Sequence, residues 1–155
     1  MSPGPYTNIG GYQTRISAND TTQKEELGSW RYEAGKVLRY VKASAIIPAG
    51  AAVKLDTTVT TAALIGNQVI LTIAPTDMCV GIAETTLSAL NFGWITCYGP
   101  ATASVSTQAA APGQYVGPSS TSGVLAVAST SLFNAAAVAL QSGLSAGSAV
   151  YVTVL

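Results

Sequence analysis

The chain has no histidine and very little charge. Seven Lys and Arg face seven Asp and Glu in 155 residues, 9% in all, where an ordinary soluble domain carries about 25%. Without histidine the usual group for proton transfer near neutral pH is missing. The carboxylates beyond the first third, Asp56, Asp77 and Glu84, stand far apart, each beside a turn or strand end, and read as solvated turn or capping residues. A nucleophilic Ser or Thr has no base to activate it. There is no Cys/His set for zinc, no carboxylate spacing for a calcium loop, and no glycine loop with a lysine to cradle phosphate. An enzyme is therefore not expected, nor a cofactor or a bound metal.

Long apolar runs are also missing. No stretch reaches the roughly 18 uninterrupted apolar residues of a spanning helix, so no membrane partner is expected. The opening MSPGPYTNIGGYQ has neither a basic nor an apolar region, so a classical signal peptide is not expected. Cysteine is limited to Cys79 and Cys97, each inside an apolar run. Two cysteines make no disulfide framework; they read as small buried hydrophobes, with a disulfide left open if their strands are neighbours.

The most informative absence is charge in the second half. Glu84 is the last charged side chain, and Thr85 to Leu155 contains no Asp, Glu, Lys or Arg. All seven basic residues fall in the first 54 positions against four carboxylates, a net +3 there and −3 beyond. That is too dilute for a nucleic-acid footprint, which needs a clustered basic patch. A chain that is 48% hydrophobic with so little charge lacks the repulsion that keeps proteins apart. Much of its surface is expected to be buried against other subunits.

What is present points to strands. Turn signals recur every 8 to 12 residues, at Pro48-Ala49-Gly50, Pro75-Thr76-Asp77, Gly99-Pro100, Pro112-Gly113 and Gly117-Pro118, with short Val/Thr/Ala runs between them. This predicts an all-β fold with a small β-barrel or β-sandwich body. Phe92–Tyr98 is the most telling run: Phe92, Trp94 and Tyr98 share one parity and Ile95 and Cys97 the other. Both faces are apolar, so the strand is expected to be covered on both sides, with Trp94 in the core. Thr57–Ala63 and Gln68–Ile73 read as strands joined at a Gly66-Asn67 hairpin, and Leu132–Leu140 reads equally as helix or strand. Three segments, around Gly50, Gly113 and Gly147, repeat a Gly turn leading into a Val-bearing strand.

Residues 1–34 differ in texture and are expected to form an extended N-terminal arm, with residues 35–155 as the body. Pro3, Gly4, Pro5, Gly10 and Gly11 oppose regular structure, and widely spaced Tyr6, Ile9, Tyr12 and Ile16 cannot build a core of their own. The arm is either disordered or laid on a neighbouring subunit, with a short helix starting at a capping Asp20. Its candidate partner contacts are Tyr6, Ile9, Tyr12, Arg15, Trp30, Arg31 and Tyr32, Trp30 being equally open to a place in the core.

Several segments carry a family likeness. They are Leu27-Gly28-Ser29-Trp30-Arg31 leading into Gly35-Lys36-Val37-Leu38-Arg39-Tyr40-Val41-Lys42, Pro48-Ala49-Gly50, Val80-Gly81-Ile82-Ala83, Gly93-Trp94-Ile95-Thr96-Cys97-Tyr98-Gly99, Gly123-Val124-Leu125-Ala126, and the run from Leu144 to Val152. Together, over roughly residues 27–155, they resemble the small β-rich head decoration (capsid-stabilising, or cement) proteins of tailed phages. The resemblance implies a barrel or β-tulip-like body on the outer surface of an icosahedral head, often as a homotrimer. It would bridge neighbouring major capsid proteins against internal DNA pressure, in a virion assembled in the host cytoplasm. It brings no catalytic residue with it. The low charge and the arm also suit a tail-tube or other shell component. The alternative is a β-sandwich binding module of a fibre or tail, recognising a carbohydrate or receptor through an exposed platform drawn from Trp94, Tyr98 and Tyr115.

Overall fold

The computed structural model describes residues 14–108, 111–128 and 135–154. It is all-β, as expected. The strands are β1 (Trp30–Glu33), β2 (Lys36–Ala43), β3 (Ala52–Leu55), β4 (Gln68–Leu71), β5 (Gly81–Ala83), β6 (Phe92–Gln108), β7 (Tyr115–Pro118), β8 (Leu125–Val127), β9 (Ala137–Ala139) and β10 (Leu144–Thr153), with one 3-10 turn at Ala62–Leu64.

Strand pairing closes on itself twice. β2, β4, β3, β5 and the first half of β6 make one five-membered ring, closed by parallel β2–β4 pairing at Lys42↔Gln68 and antiparallel β2–β6 pairing at Tyr40↔Trp94. The second half of β6, with β10, β9, β7 and β8, makes another, closed where β6 and β8 run parallel at Val105↔Leu125. The expected barrel is thus a pair of small rings sharing the 17-residue β6, with β1 appended to the side of β2. Closure removes exposed edges from both rings.

Interior volume dictates the side chains. A five-stranded ring is narrow, and the second is filled largely by small residues, among them Ala101, Ala103, Val116, Ala137, Ala139 and Val150, around Leu125 and Leu144. The first ring takes Val41, Val53, Val69, Leu87 and Ile95. Ala52, Cys79 and Ile82, from the first half of the chain, pack with the second ring's core. This joins the two interiors.

A third cluster lies on the outside of the first ring. Leu38, Tyr40 and Trp94 are fully buried there beneath Ile16, Ala18, Leu27 and Phe92. Residues 14–29 therefore form a strap across their own body. The strap pairs at Asp20↔Phe92, donates Gly28 N–H to Tyr40 O at 2.9 Å, and ties Asn19 Oδ1 to Ser88 N–H and the Asn91 amide. No helix starts at Asp20, because its backbone is committed to Phe92. The arm–body boundary expected after residue 34 falls inside the β1–β2 hairpin, whose pairing runs from Trp30↔Arg39 to Glu33↔Lys36.

Two further expectations fail for local reasons. Thr57–Ala63 is no strand. Asp56 Oδ1 accepts from Thr58 N–H at 3.0 Å and from its hydroxyl at 2.7 Å, and this Asx-type turn ends β3. β4 then pairs with β3, not with a strand at 57–63. Of the three glycine repeats, Gly50 and Gly113 sit in turns, whereas Gly147 (φ +82°) lies within β10, at the second of two register shifts against β6. The ambiguous segment resolves to strand at Ala137–Ala139; residues 132–134 lie outside the described residues.

The β1–β2 turn carries Ala34 at φ +52° and Gly35 at φ +73°, a pairing of left-handed residues suited to Asn-Gly. Ala34→Asn is expected to raise stability by roughly 0.5–1 kcal/mol and the melting temperature by about 2–4 °C. Gly35→Ala should lower both. Thermal melts of the two variants check this, and equal shifts of one sign would refute the turn assignment.

Candidate functional site

Of the seven candidate contact residues, Tyr6, Ile9 and Tyr12 lie outside the described residues. Arg15 is exposed on the strap. Trp30 and Tyr32 alternate with Arg31 along β1, so they occupy the face opposite to it. They are 44% and 78% exposed, and the Arg39 guanidinium lies over the Trp30 ring at 5.6 Å. Arg31 is buried, so its expected role at the surface is corrected. It donates to Thr14 O, pairs with Glu33 and lies 5.5 Å from the Trp94 ring centroid. Its charge is spent on fastening the strap.

Trp94 is likewise withdrawn from any binding platform. It is fully buried, its indole N–H donates to Thr14 Oγ1 at 2.9 Å, and it packs 5.1 Å from Tyr40, centroid to centroid. The same apolar surroundings that bury Tyr40 raise its phenol above the ordinary value. Tyr98 and Tyr115 remain at the surface, 39% and 45% exposed.

The charged groups do structural work. Glu84 is no solvated turn residue. Its two oxygens accept from Lys36 Nζ at 2.9 Å each, and one accepts from the Thr96 hydroxyl, with the Lys and Glu side chains only 18% and 12% exposed. This pair stands where the rings meet, beside a cleft of about 140 Å³ lined by Ala49, Gly50, Glu84, Thr102, Ala103, Ser104 and Gly147. Gly50 is required at that cleft: its φ is +77°, and a Cβ would lie 3.0 Å from Thr102 O. Hydrogen bonds from Thr58, Ser44 and Gln68 hold the Asp56 carboxyl at about 2, and bonds from Ile73 N–H and Lys54 hold Asp77 low. Both are turn anchors that stay ionised near neutral pH.

The cysteines are free and buried. Burial pushes the Cys79 thiol up to about 11 and that of Cys97 to about 12, and each S–H donates to a backbone carbonyl, Gly81 O and Val80 O respectively. Thiolate chemistry at neutral pH is suppressed at both.

The uneven charge of the sequence becomes a division in space. Every charged side chain belongs to β1–β5, the strap or their connections, while β6 to β10 carry none. The second ring's exposed positions, such as Thr102, Thr107, Gln114, Thr121, Gln141 and Thr153, are neutral.

No family model matches the chain, and no curated protein matches it in sequence. Among solved structures, two chains match. One is the head fiber gp8.5 N base in bacteriophage phi29, with a TM-score of 0.55 and 9% identity, covering 76% of this chain and 92% of that one. At this identity the likeness is one of fold.

Proposed function

We propose that this protein is a non-enzymatic structural component of a phage virion, a head decoration protein that binds the outside of the capsid lattice and bridges neighbouring major capsid proteins. The observation that carries the reading is the fold: a two-ring body that matches the base of a phage head fiber over 92% of that chain. The charge distribution supports it, since a neutral second ring suits packing against neighbours, including further copies of this chain as a homotrimer. In this reading residues 1–13 and exposed Arg15 reach the lattice. Their Tyr6, Ile9 and Tyr12 supply the amphipathic anchors that dominate interfaces.

Cosedimentation with expanded heads that lack the protein tests this. The full chain should bind and raise the heads' resistance to heat, and its failure to bind would sink the proposal. Removing residues 1–13 leaves Thr14 and the strap in place and should weaken binding by about tenfold or more. Equal binding by the shortened protein would refute the role of the arm. A longer deletion, to residue 26, would confound the result by uncovering Tyr40 and Trp94.

A further inference from the structure

The two rings follow one plan. Taken in chain order, each ring runs first, third, second, fourth, fifth strand and back to the first. In each the first and third strands are parallel and every other contact is antiparallel. The register agrees as well. Val53 faces Gly81 and Leu71 as Val116 faces Ala137 and Val127. Ala43 faces Val69 as Val105 faces Leu125, and Ala83 faces Ile95 as Ala139 faces Val150. Bonds outside the ladders recur too: Gly50 N–H donates to Ala83 O at 2.9 Å, and Gly113 N–H to Ala139 O at 2.8 Å. Each position in one ring therefore has a counterpart in the other.

At the junction one surface of the first ring receives a turn of the second. The turn closes by Val124 N–H donating to Thr121 O, and its Gly123 enters the first ring's ladder: Gly123 N–H donates to Thr72 O and Gly123 O accepts from Ala52 N–H, both at 2.8 Å. Gly50, Ala51 and Ala52 are buried under this contact, and Ala52 packs with the second ring's core. Their counterparts Gly113, Gln114 and Tyr115 are exposed. Ala128 N–H donates to Tyr115 O at 2.9 Å, as Thr72 N–H does to Ala52 O at 3.1 Å. Among the described residues, however, nothing bridges Tyr115 N–H to Ala128 O as Gly123 bridges Ala52 and Thr72. The second ring repeats the receiving surface with no turn seated on it.

The counterpart of the inserted turn belongs to the first ring, in the connection from β3 to β4. It closes in the same way, Asn67 N–H donating to Leu64 O at 2.9 Å, with Gly66 (φ +75°) in the place of Gly123 (φ +70°). Their surroundings differ. A Cβ on Gly123 would lie 2.8 Å from Leu71 Cδ2 and 3.0 Å from Ala51 Cβ, whereas one on Gly66 would meet nothing within 4 Å. Neighbouring Ile65 is 61% exposed. Arg39 holds the turn through Gly66 O, and a carbonyl that accepts one bond keeps a second lone pair. Residues 57–67 carry no charge, which matches the neutral receiving surface.

We propose that a second copy of this chain docks on the second ring: the Gly66 turn of one copy, led by Ile65, seats against Gly113, Gln114 and Tyr115 of the next. The contact that joins the rings within one chain is thereby repeated between chains. The two surfaces lie on different rings, so the contact is heterologous, head to tail. It closes into a ring of copies, such as a trimer, or extends as a filament, according to the rotation between neighbours. This names the contact between copies that the proposed function includes and rests on that part of it alone.

Sedimentation velocity of the full chain over roughly 1–100 μM tests this. The parent should self-associate. Ile65→Asp on the turn and Tyr115→Glu on the receiving surface each place an unpaired charge in the contact and should weaken association about tenfold or more. Both side chains are exposed, and melting curves check folding. If Tyr115→Glu lowers the melting temperature, Gln114→Glu replaces it, since it keeps the side-chain acceptor for Ala111 N–H. Mixing the turn variant with the receiving-surface variant should give a one-to-one dimer and nothing larger, because one intact turn meets one intact surface. A parent that stays monomeric throughout the range overturns the proposal. So does assembly that both variants leave unchanged, or a mixture that forms no dimer, which would place the contact elsewhere or make it isologous. Binding to heads is read separately by cosedimentation, so either result stands without the other.

Discussion

Trp94→Ala is expected to lower the stability of the protein by roughly 3–5 kcal/mol. The side chain is fully buried, and its removal opens a cavity between β2, β6 and residues 14–29. It also deletes three particular contacts: the hydrogen bond to Thr14 Oγ1, the approach of the Arg31 guanidinium and the tilted contact with Tyr40. Arg31 is then a buried cation that has lost its aromatic neighbour. Trp94→Phe separates these terms, since it keeps most of the apolar volume and loses the N–H; a cost of about 1–3 kcal/mol is expected. Urea unfolding measures both, and limited proteolysis should show cleavage within residues 14–29 only in the alanine variant. An alanine variant within 1 kcal/mol of the parent, with its strap still protected, would disprove this account of the outer cluster.

Glu84→Ala is expected to cost about 2–4 kcal/mol, and reversing that loss should not require a charge. Deleting the carboxylate leaves Lys36 mostly buried with its cation unmatched, which is worse than never having had the pair. It also strands the Thr96 hydroxyl that Glu84 accepts from. The double variant Lys36→Met with Glu84→Gln keeps the shape, keeps an acceptor for Thr96 and removes both charges. It should lie within about 1 kcal/mol of the parent. The coupling comes from a double-mutant cycle, and because the pair is largely shielded it should change little between low and high salt. Additive single effects, or a coupling that vanishes in salt, would show that the pair behaves as a surface ion pair.

Much of the fold was legible because β parity is a local property. The two-sided covering of Phe92–Tyr98 followed from apolar residues on both parities, and Trp94, Ile95 and Cys97 are buried. The turns at Gly50 and Gly113 were visible for the same reason. Ring closure was not, since it depends on two parallel contacts, Lys42↔Gln68 and Val105↔Leu125, between segments whose sequences carry no mark of each other. Glu84 was misjudged because its partner Lys36 lies 48 positions earlier. Residues 14–29 looked unfit to pack because their apolar residues, Ile16, Ala18 and Leu27, are few and widely spaced, and much of the fastening is polar: the Thr14, Asn19 and Glu25 side chains and the backbone of Asp20 and Gly28. Arg31 looked like a surface cation for want of any sign that Thr14 and Trp94 would enclose it. Of the three aromatics that the fibre-module alternative places at the surface, Tyr98 and Tyr115 are exposed and Trp94 is buried, because the residues that cover Trp94 come from a segment whose sequence does not announce the contact.

The shared β6 also sets an order in time. The first ring is complete in the chain once the residues up to Tyr98 have been made, because all its strands precede that point. The second cannot close until β10, the last strand, has appeared, and it borrows its wall from β6. Chains fold from the N-terminus as they are synthesised, at about 5–20 residues per second. The neutral half is therefore laid down on a scaffold that already exists, and its alanine-lined strands wait only a few seconds for their last partner.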